Sequence, residues 1–366
     1  MTDLAASAVV TPDGLVGPSV VVVEDGRVRA VEATSGPVPD RILVPGFVDM
    51  QVNGHDDIDV AGAQGPDWDR LDDIVASQGV TTWCPTLVTA PLDSYARPLG
   101  RIAEAAARGG LRPRIAGAHL EGPFLGGLPG AHDRSRIVPL DLSWLAALPD
   151  VVRLVTLGAE LDHAVEAIRL LTGRGVLVSV GHSAATYDEA VEAAEAGARL
   201  ATHLFNAMSP LHHREPGVTG AALTDARLTP SLIADLVHVH PAAIAVAFRT
   251  RGPAGIALVT DAVGWRSGRV GAAGVTRAPG DAPRRPDGTI AGSALRMDEA
   301  VANVVRHCGV GLAEAVGAAS STPARLLGLS DAGAIEAGRR ADIVALDPAE
   351  LRCRQTWIAG ETVWAA

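Results

Sequence analysis

The sequence predicts a (β/α)8 TIM-like barrel over residues 46–337, with a small β-sandwich domain assembled from residues 1–45 and 338–366. Two observations carry this. The middle of the chain alternates short, apolar, Val-rich segments with Ala/Glu/Arg-rich ones, the pattern of buried parallel strands and their crossover helices. Both ends, by contrast, are strand-rich and contain turn signals at close spacing.

At the N-terminus, Ser19 to Val23 is a β-branched run, Glu24-Asp25-Gly26 is a turn, and Arg27 to Val31 returns as a strand. The C-terminal end repeats the pattern with Ala341 to Leu346, Gln355 to Ile358, a turn at Gly360, and Thr362 to Trp364. Between them, eight candidate barrel strands are Val44–Gln51, Gly79–Cys84, Arg114–His119, Val151–Leu157, Val176–Gly181, Arg199–His203, Ser231–His238 and Gly255–Thr260. Segments such as Leu161–Arg174 and Tyr187–Ala196 have helical composition. Gly264 to Gly292, rich in Gly, Arg and Pro, is too long for a plain loop and reads as a β-hairpin insertion or lid after the last strand.

Composition narrows the function classes. The net charge of −11 argues against a nucleic-acid binder, which needs a basic face. No apolar run reaches the roughly 18 residues of a membrane helix, and Met1-Thr2-Asp3-Leu4 lacks the basic start of a secretory signal. Cys84, Cys308 and Cys353 are odd in number and far apart, which excludes a disulfide framework and suits a reducing cytoplasm. All 31 basic residues are arginine, so no lysine can serve as a Schiff base or as a carbamylated metal bridge.

In a barrel of this kind, chemistry sits where strands end and loops begin. Those positions read His119-Leu120-Glu121-Gly122-Pro123, Gly181-His182-Ser183, Thr202-His203-Leu204-Phe205-Asn206-Ala207-Met208 and Thr260-Asp261-Ala262. A carboxylate and two imidazoles on neighbouring rim positions form a three-ligand nitrogen/oxygen site for a catalytic divalent metal. A further Asp across the mouth can take a proton from water. Singly, each residue has a plainer reading, a core or capping His or an N-cap Asp; four of them in strand order do not.

These motifs, with Arg214-Glu215-Pro216-Gly217 and Gly292-Ser293-Ala294-Leu295, resemble the N-acetylglucosamine-6-phosphate deacetylases of the amidohydrolase superfamily, from about Pro45 to Asp347. The resemblance implies metal ligation by Glu121, His182 and His203, with Asp261 as general base and acid. It places His132 beside the amide carbonyl, although the spacing from Glu121 is one residue shorter than in some relatives. It assigns the phosphate to Arg214, His238 and the Asn206–Ala207 segment, and substrate contacts to Gln51, Ala131 and the backbone around Leu295 and Met297. It also implies a homodimer in which the partner chain helps hold the phosphate. Many amidohydrolases carry His-x-His at the end of the first strand for a second metal; here the place reads Gln51-Val52-Asn53. Amides bind such cations poorly, so one ion per chain is expected, zinc first and iron, manganese or cobalt as alternatives. His55 could ligate a second ion or simply face solvent beside Asp56 and Asp57. Competing functions are deacetylation of the galacto-epimer, another metal-dependent amidohydrolase reaction on a small cyclic amide, or a non-catalytic scaffold, which would be expected to have lost ligands.

Overall fold

The computed structural model describes residues 2–271 and 273–366. Eight parallel strands run in sequence order around a barrel: β1 (Phe47–Val52), β2 (Val80–Val88), β3 (Ala118–Glu121), β4 (Val152–Leu157), β5 (Leu177–Val180), β6 (Leu200–Ala201), β7 (Thr229–Leu232) and β8 (Ala257–Leu258). Each pairs with the next. The seam between β8 and β1 closes at the mouth, where Ala262 O accepts from Asn53 N (2.8 Å) and Gly54 N (3.0 Å). Deeper in the seam, the Asp49 carboxylate accepts from Thr260 Oγ1 at 2.6 Å and from Thr260 N at 3.2 Å.

The helices that follow β1 to β8 are α1 (Asp67–Ala76), α2 (Ala96–Ala106), α3 (Leu142–Ala146), α4 (Ala164–Gly173), α5 (Tyr187–Ala196), α6 (Gly217–Thr224), α7 (Pro241–Arg251) and α8 (Met297–Cys308). Then come α9 (Leu312–Ala319) and α10 (Ser321–Leu326). The sequence marks α5 at both ends. Thr186 and Glu189 form a reciprocal capping box, and Gly197 at φ +125° ends the helix in a conformation that suits a residue without Cβ.

Both chain ends enter one six-stranded sheet, in the order Glu361–Ala365, Cys353–Ile358, Ile343–Leu346, Ile42–Pro45, Ala8–Thr11 and Gly14–Val16. A three-stranded sheet of Thr2–Ala6, Ser19–Glu24 and Arg27–Ala33 packs against it. The two central strands, Ile343–Leu346 and Ile42–Pro45, are buried on both faces. Leu43, Ile343, Ala345 and Trp357 join the three-stranded sheet's core, while Ile42, Val44, Val344 and Leu346 pack into the barrel's core. Period-two alternation thus serves two apolar layers at once, which is why these strands read as continuous apolar runs.

Most strand boundaries move, the third strand to Ala118–Glu121 and the seventh to Thr229–Leu232 among them, and two of the shifts have a clear local cause. The expected strand Val44–Gln51 is two strands, divided at Gly46 where the chain crosses from sheet to barrel. A Cβ at Gly46 would lie 2.1 Å from Thr81 Oγ1, so the crossing needs glycine. The second barrel strand runs on to Val88 instead of stopping at Cys84. Pro85 lacks an N–H and sits at a register shift against β1, where a missing ladder bond is tolerated.

The insertion after β8 contains the short hairpin Arg269–Val270/Ala273–Gly274 and further antiparallel bridges, Thr276 with Arg284 and Arg284 with Ile290. It is fastened to the β1–α1 loop by Gly271 N donating to Asp59 Oδ2 (2.8 Å) and Arg266 N donating to Asp56 O (2.7 Å). Among the described residues no helix is long and apolar enough to cross a membrane. Cys84, Cys308 and Cys353 are unpaired and buried.

Candidate metal centre and substrate cavity

A cavity of about 380 Å³ opens at the C-terminal mouth of the barrel, with the insertion forming one wall. Its floor is made by residues that leave the strands in left-handed backbone: His182 (φ 51°), His203 (φ 35°) and Asp261 (φ 49°), after β5, β6 and β8. This conformation costs a non-glycine residue on the order of 1–3 kcal/mol. At these three strand ends it accompanies side chains that gather over the mouth.

Glu121, at the end of β3, is the hub. Its Oε1 lies 3.2 Å from His182 Nε2 and 3.2 Å from His203 Nε2, and those two nitrogens are 3.0 Å apart. All three residues are at most 5 % exposed. His132 approaches from the loop, with Nε2 3.7 Å from Glu121 Oε2. A second possible three-ligand set is therefore Glu121, His132 and His182, whose donor atoms lie within 4.8 Å. The His203 set is the tighter of the two.

These residues fit a divalent cation. His182 Nδ1–H donates to Pro129 O (3.1 Å), a carbonyl that can only accept, which leaves the Nε2 lone pair facing the Glu121 oxygen. Two acceptors at 3.2 Å repel unless positive charge lies between them. Metal–ligand bonds of about 2.0–2.2 Å in a tetrahedral site separate donor atoms by roughly 3.3–3.5 Å, a few tenths of an ångström from the spacing here.

Charge balance agrees. Burial drives the His182 imidazole down to about 4, with His132 adding to the effect, so it is neutral and ready to ligate. Burial opposes ionisation of Glu121, but the neighbouring His132, His182 and His203 imidazoles prevail and hold it well below the usual carboxylate range. Burial also opposes charge on His203, where Glu121 and Asp261 prevail and raise it. Asp261 is pushed well above the usual range, first by burial and then by the Glu121 charge. A divalent ion would be the largest local charge and would reverse that last tendency.

Gln51 and Asn53 stand where a second-metal motif is found in many amidohydrolases. Gln51 Nε2 donates to both Glu121 Oε1 (2.8 Å) and Asp261 Oδ1 (3.0 Å), and Asn53 Nδ2 donates to Asp261 Oδ1 (2.7 Å). His55 is buried rather than solvent-facing, its Nε2 has no partner, and burial lowers its pKa to about 4; it does not line the cavity.

Ala131, Asn206, Ala207 and His238 line the cavity as anticipated. His238 lies beyond the end of β7, not within the strand. It is held in a turn where Asp235 Oδ1 accepts from Val237 N and His238 N, and Asp235 Oδ2 binds His238 Nδ1 at 2.7 Å. Four expected contacts are not part of the wall. Gln51 is buried and bonded to Glu121 and Asp261. Arg214 is exposed and outside the cavity wall. Leu295 and Met297 are 3 % and 0 % exposed and packed into the barrel core, and their N–H groups are taken by Ser293 Oγ and Gln78 Oε1. The apolar side chains at the start of α8 follow the core, not the cavity.

Some participants escaped sequence reasoning. Thr89 Oγ1 lies 2.8 Å from His132 Nδ1 and orients that ring. Its signal, a polar residue at a strand end, is hidden because the apolar run of β2 reads as ending at Cys84, before Pro85. Beneath the candidate metal centre, the His119 ring nitrogens are occupied by Thr86 Oγ1 (3.2 Å) and Thr156 Oγ1 (2.8 Å) inside the barrel. Arg136 and Arg285 also line the cavity.

Comparison with known proteins agrees with this geometry. The family model for the Amidohydrolase family matches residues 42–363. An N-acetylgalactosamine-6-phosphate deacetylase from Escherichia coli O157:H7 is 38% identical over 98% of both chains. An N-acetylglucosamine-6-phosphate deacetylase from Bos taurus is 41% identical over 88% of this chain and 83% of its own. A Mycobacterium smegmatis N-acetyl-D-glucosamine-6-phosphate deacetylase mutant, solved in complex with N-acetyl-D-glucosamine-6-phosphate, superposes with a TM-score of 0.92 at 36% identity over 99% of each chain. With the barrel, the buried Glu121–His182–His203 cluster and these similarities together, the chain belongs to the amidohydrolase family and groups with its amino-sugar-6-phosphate deacetylases.

Proposed function

We propose that this chain hydrolyses the N-acetyl amide of N-acetylglucosamine 6-phosphate to glucosamine 6-phosphate and acetate. The observation that carries this reading is the convergence of Glu121, His182 and His203 beside Asp261 on one cavity floor. Glu121, His182 and His203 would hold the ion, zinc by preference. When bound, it supplies Lewis acidity that lowers the pKa of water and polarises the acetyl carbonyl. One ion per chain follows from Gln51 and Asn53, whose amide N–H groups already face the carboxylates that a second cation would need.

The protein's own groups do the rest. Asp261 accepts the proton of the attacking water and returns it to the departing nitrogen. Gln51 and Asn53 hold its Oδ1 and aim the carboxylate. His132, oriented by Thr89, donates to the carbonyl oxygen as charge gathers there. Asn206, Ala207 and His238 face the phosphate end. Arg214, outside its own chain's cavity, would reach that end only in a homodimer, across the interface. We read residues 1–45 and 338–366 as one domain that braces the barrel, and the protein as cytoplasmic.

The galacto-epimer is the second reading, because relatives of both specificities match. The test is acetate release from both 6-phosphorylated N-acetylhexosamines and from their unphosphorylated parents. Turnover of the phosphorylated gluco-substrate should exceed that of its parent by orders of magnitude. Equal rates with and without phosphate, or acetate from neither phosphosugar, would refute the proposal.

A further inference from the structure

We propose that Arg285, carried on the insertion after β8, is a substrate-binding residue that takes the phosphate of the substrate; this rests on the phosphosugar reading above. A phosphomonoester brings a charge of about −1.5 to −2 at pH 7 into a cavity whose wall already contains Glu121, Asp133 and Asp261. It therefore needs a cation whose charge no close carboxylate already offsets. His238 and Arg136 each already face a carboxylate that offsets their charge, Asp235 at 2.7 Å and Asp133 at 3.3 Å. Arg214 is not in the wall of its own chain's cavity and would come only from a partner chain, so Arg285 is the cation the chain itself supplies.

Arg285 is differently placed. Its Nη1 donates to Ala131 O at 2.8 Å, and its nearest carboxylate, Asp287, is 4.0 Å away and 60% exposed. Among the described residues nothing accepts a hydrogen bond from Nε or Nη2. The guanidinium is planar, so the bond to Ala131 fixes the direction of the remaining fork, the arrangement that suits two phosphate oxygens. The backbone beneath it is also set. Arg285 N donates to Thr289 O and Gly288 N donates to Arg285 O, both at 2.9 Å, in a tight turn. Beside that turn, Arg284 grips Asp281 through two bonds of 2.8 and 3.0 Å.

The carbonyl that Arg285 grips belongs to the strip next to the anticipated phosphate segment. A Cβ at Gly130 would lie 3.2 Å from Ala207 Cβ and 3.5 Å from the His182 ring. The Gly130–Ala131 strip thus runs between the metal centre and Asn206–Ala207, with Arg285 reaching it from above. Arg285 would make the insertion a specificity element as well as a wall.

The test compares Arg285→Ala, Arg285→Gln and Arg285→Lys with N-acetylglucosamine 6-phosphate and N-acetylglucosamine as substrates, and with glucose 6-phosphate and glucose as inhibitors. The glutamine variant can still donate to Ala131 O but carries no charge. In the alanine and glutamine variants, KM for the phosphorylated substrate and Ki for the phosphorylated inhibitor should rise on the order of 10- to 100-fold, the worth of a hydrogen bond to a charged group. Values for glucose and N-acetylglucosamine should move far less, and lysine should recover part of the loss. Equal losses for phosphorylated and plain sugars, or a fall in kcat with KM unchanged, would overturn the assignment and make Arg285 a residue that acts by holding Ala131 and His132. Should the wild-type enzyme show no preference for the phosphorylated sugar, the phosphosugar reading itself would fall, a result separable from the variants.

Discussion

Replacing Asp261 with asparagine tests the proton-transfer role directly. The substitution is isosteric, and the geometry says which bonds survive. Asp261 Oδ1 accepts from Asn53 Nδ2 at 2.7 Å and from Gln51 Nε2 at 3.0 Å; an asparagine oxygen at the same place can keep both. The side chain also does not belong to the tight Glu121–His182–His203 cluster, so metal ligation should persist. What disappears is the basic carboxylate, a loss of roughly 10²–10⁴-fold in kcat for a positioned acid or base. At 1.36 kcal/mol per tenfold this raises the barrier by about 3–5 kcal/mol. The assay is acetate release at saturating substrate, alongside elemental analysis and a thermal melt. The expected result is a collapsed kcat, about one metal ion per chain in both proteins, and a melting temperature no lower than wild type. Near-normal turnover at full metal content would remove Asp261 as the base. Two tightly held ions in the wild-type protein would refute the reading of Gln51 and Asn53.

Two further outcomes follow from the interior. Burial raises Asp49 from an ordinary 3.8 to about 7, against the opposing bonds from Thr260 and Gln51. A carboxyl raised on folding lends stability that is complete below its unfolded value and lost as pH rises through the folded one. The wild-type melting temperature should therefore fall more between pH 6 and 8 than that of Asp49→Asn, and parallel curves would contradict this. Gly46→Ala places a Cβ 2.1 Å from Oγ1 and 2.9 Å from Cβ of the buried Thr81, and overpacking of this kind costs typically 1–3 kcal/mol. A denaturation midpoint equal to wild type would show that the sheet-to-barrel crossing can relax.

The barrel was legible because its strands are short apolar runs alternating with helical composition, and α5 was legible to the residue because its capping box and terminal glycine are local signals. Boundaries failed where tertiary context overrode local rules. Pro85 continues β2 because a register shift absorbs its missing N–H, and a contiguous apolar run was divided at Gly46 because neighbouring layers claim its two halves. Those boundaries in turn hid Thr89.

The sequence by itself determined the residue types of the candidate metal site and of the proposed base, with their strand order, since Glu121, His182, His203 and Asp261 occupy strand-end positions that any barrel of this kind turns toward its mouth. It also determined the amides at the end of β1. Only the tertiary structure decided which polar residues reach the cavity. His119 and Glu121 are two residues apart on one strand, yet His119 is bonded by two threonines below the metal centre and Glu121 caps it. Arg214 and Arg285 are indistinguishable as residue types, but the first lies outside the cavity and the second lines it. Chemistry of a side chain is written in its identity, while access to a substrate depends on contacts between segments far apart in the chain, such as Arg285 with Ala131, and no local pattern encodes those.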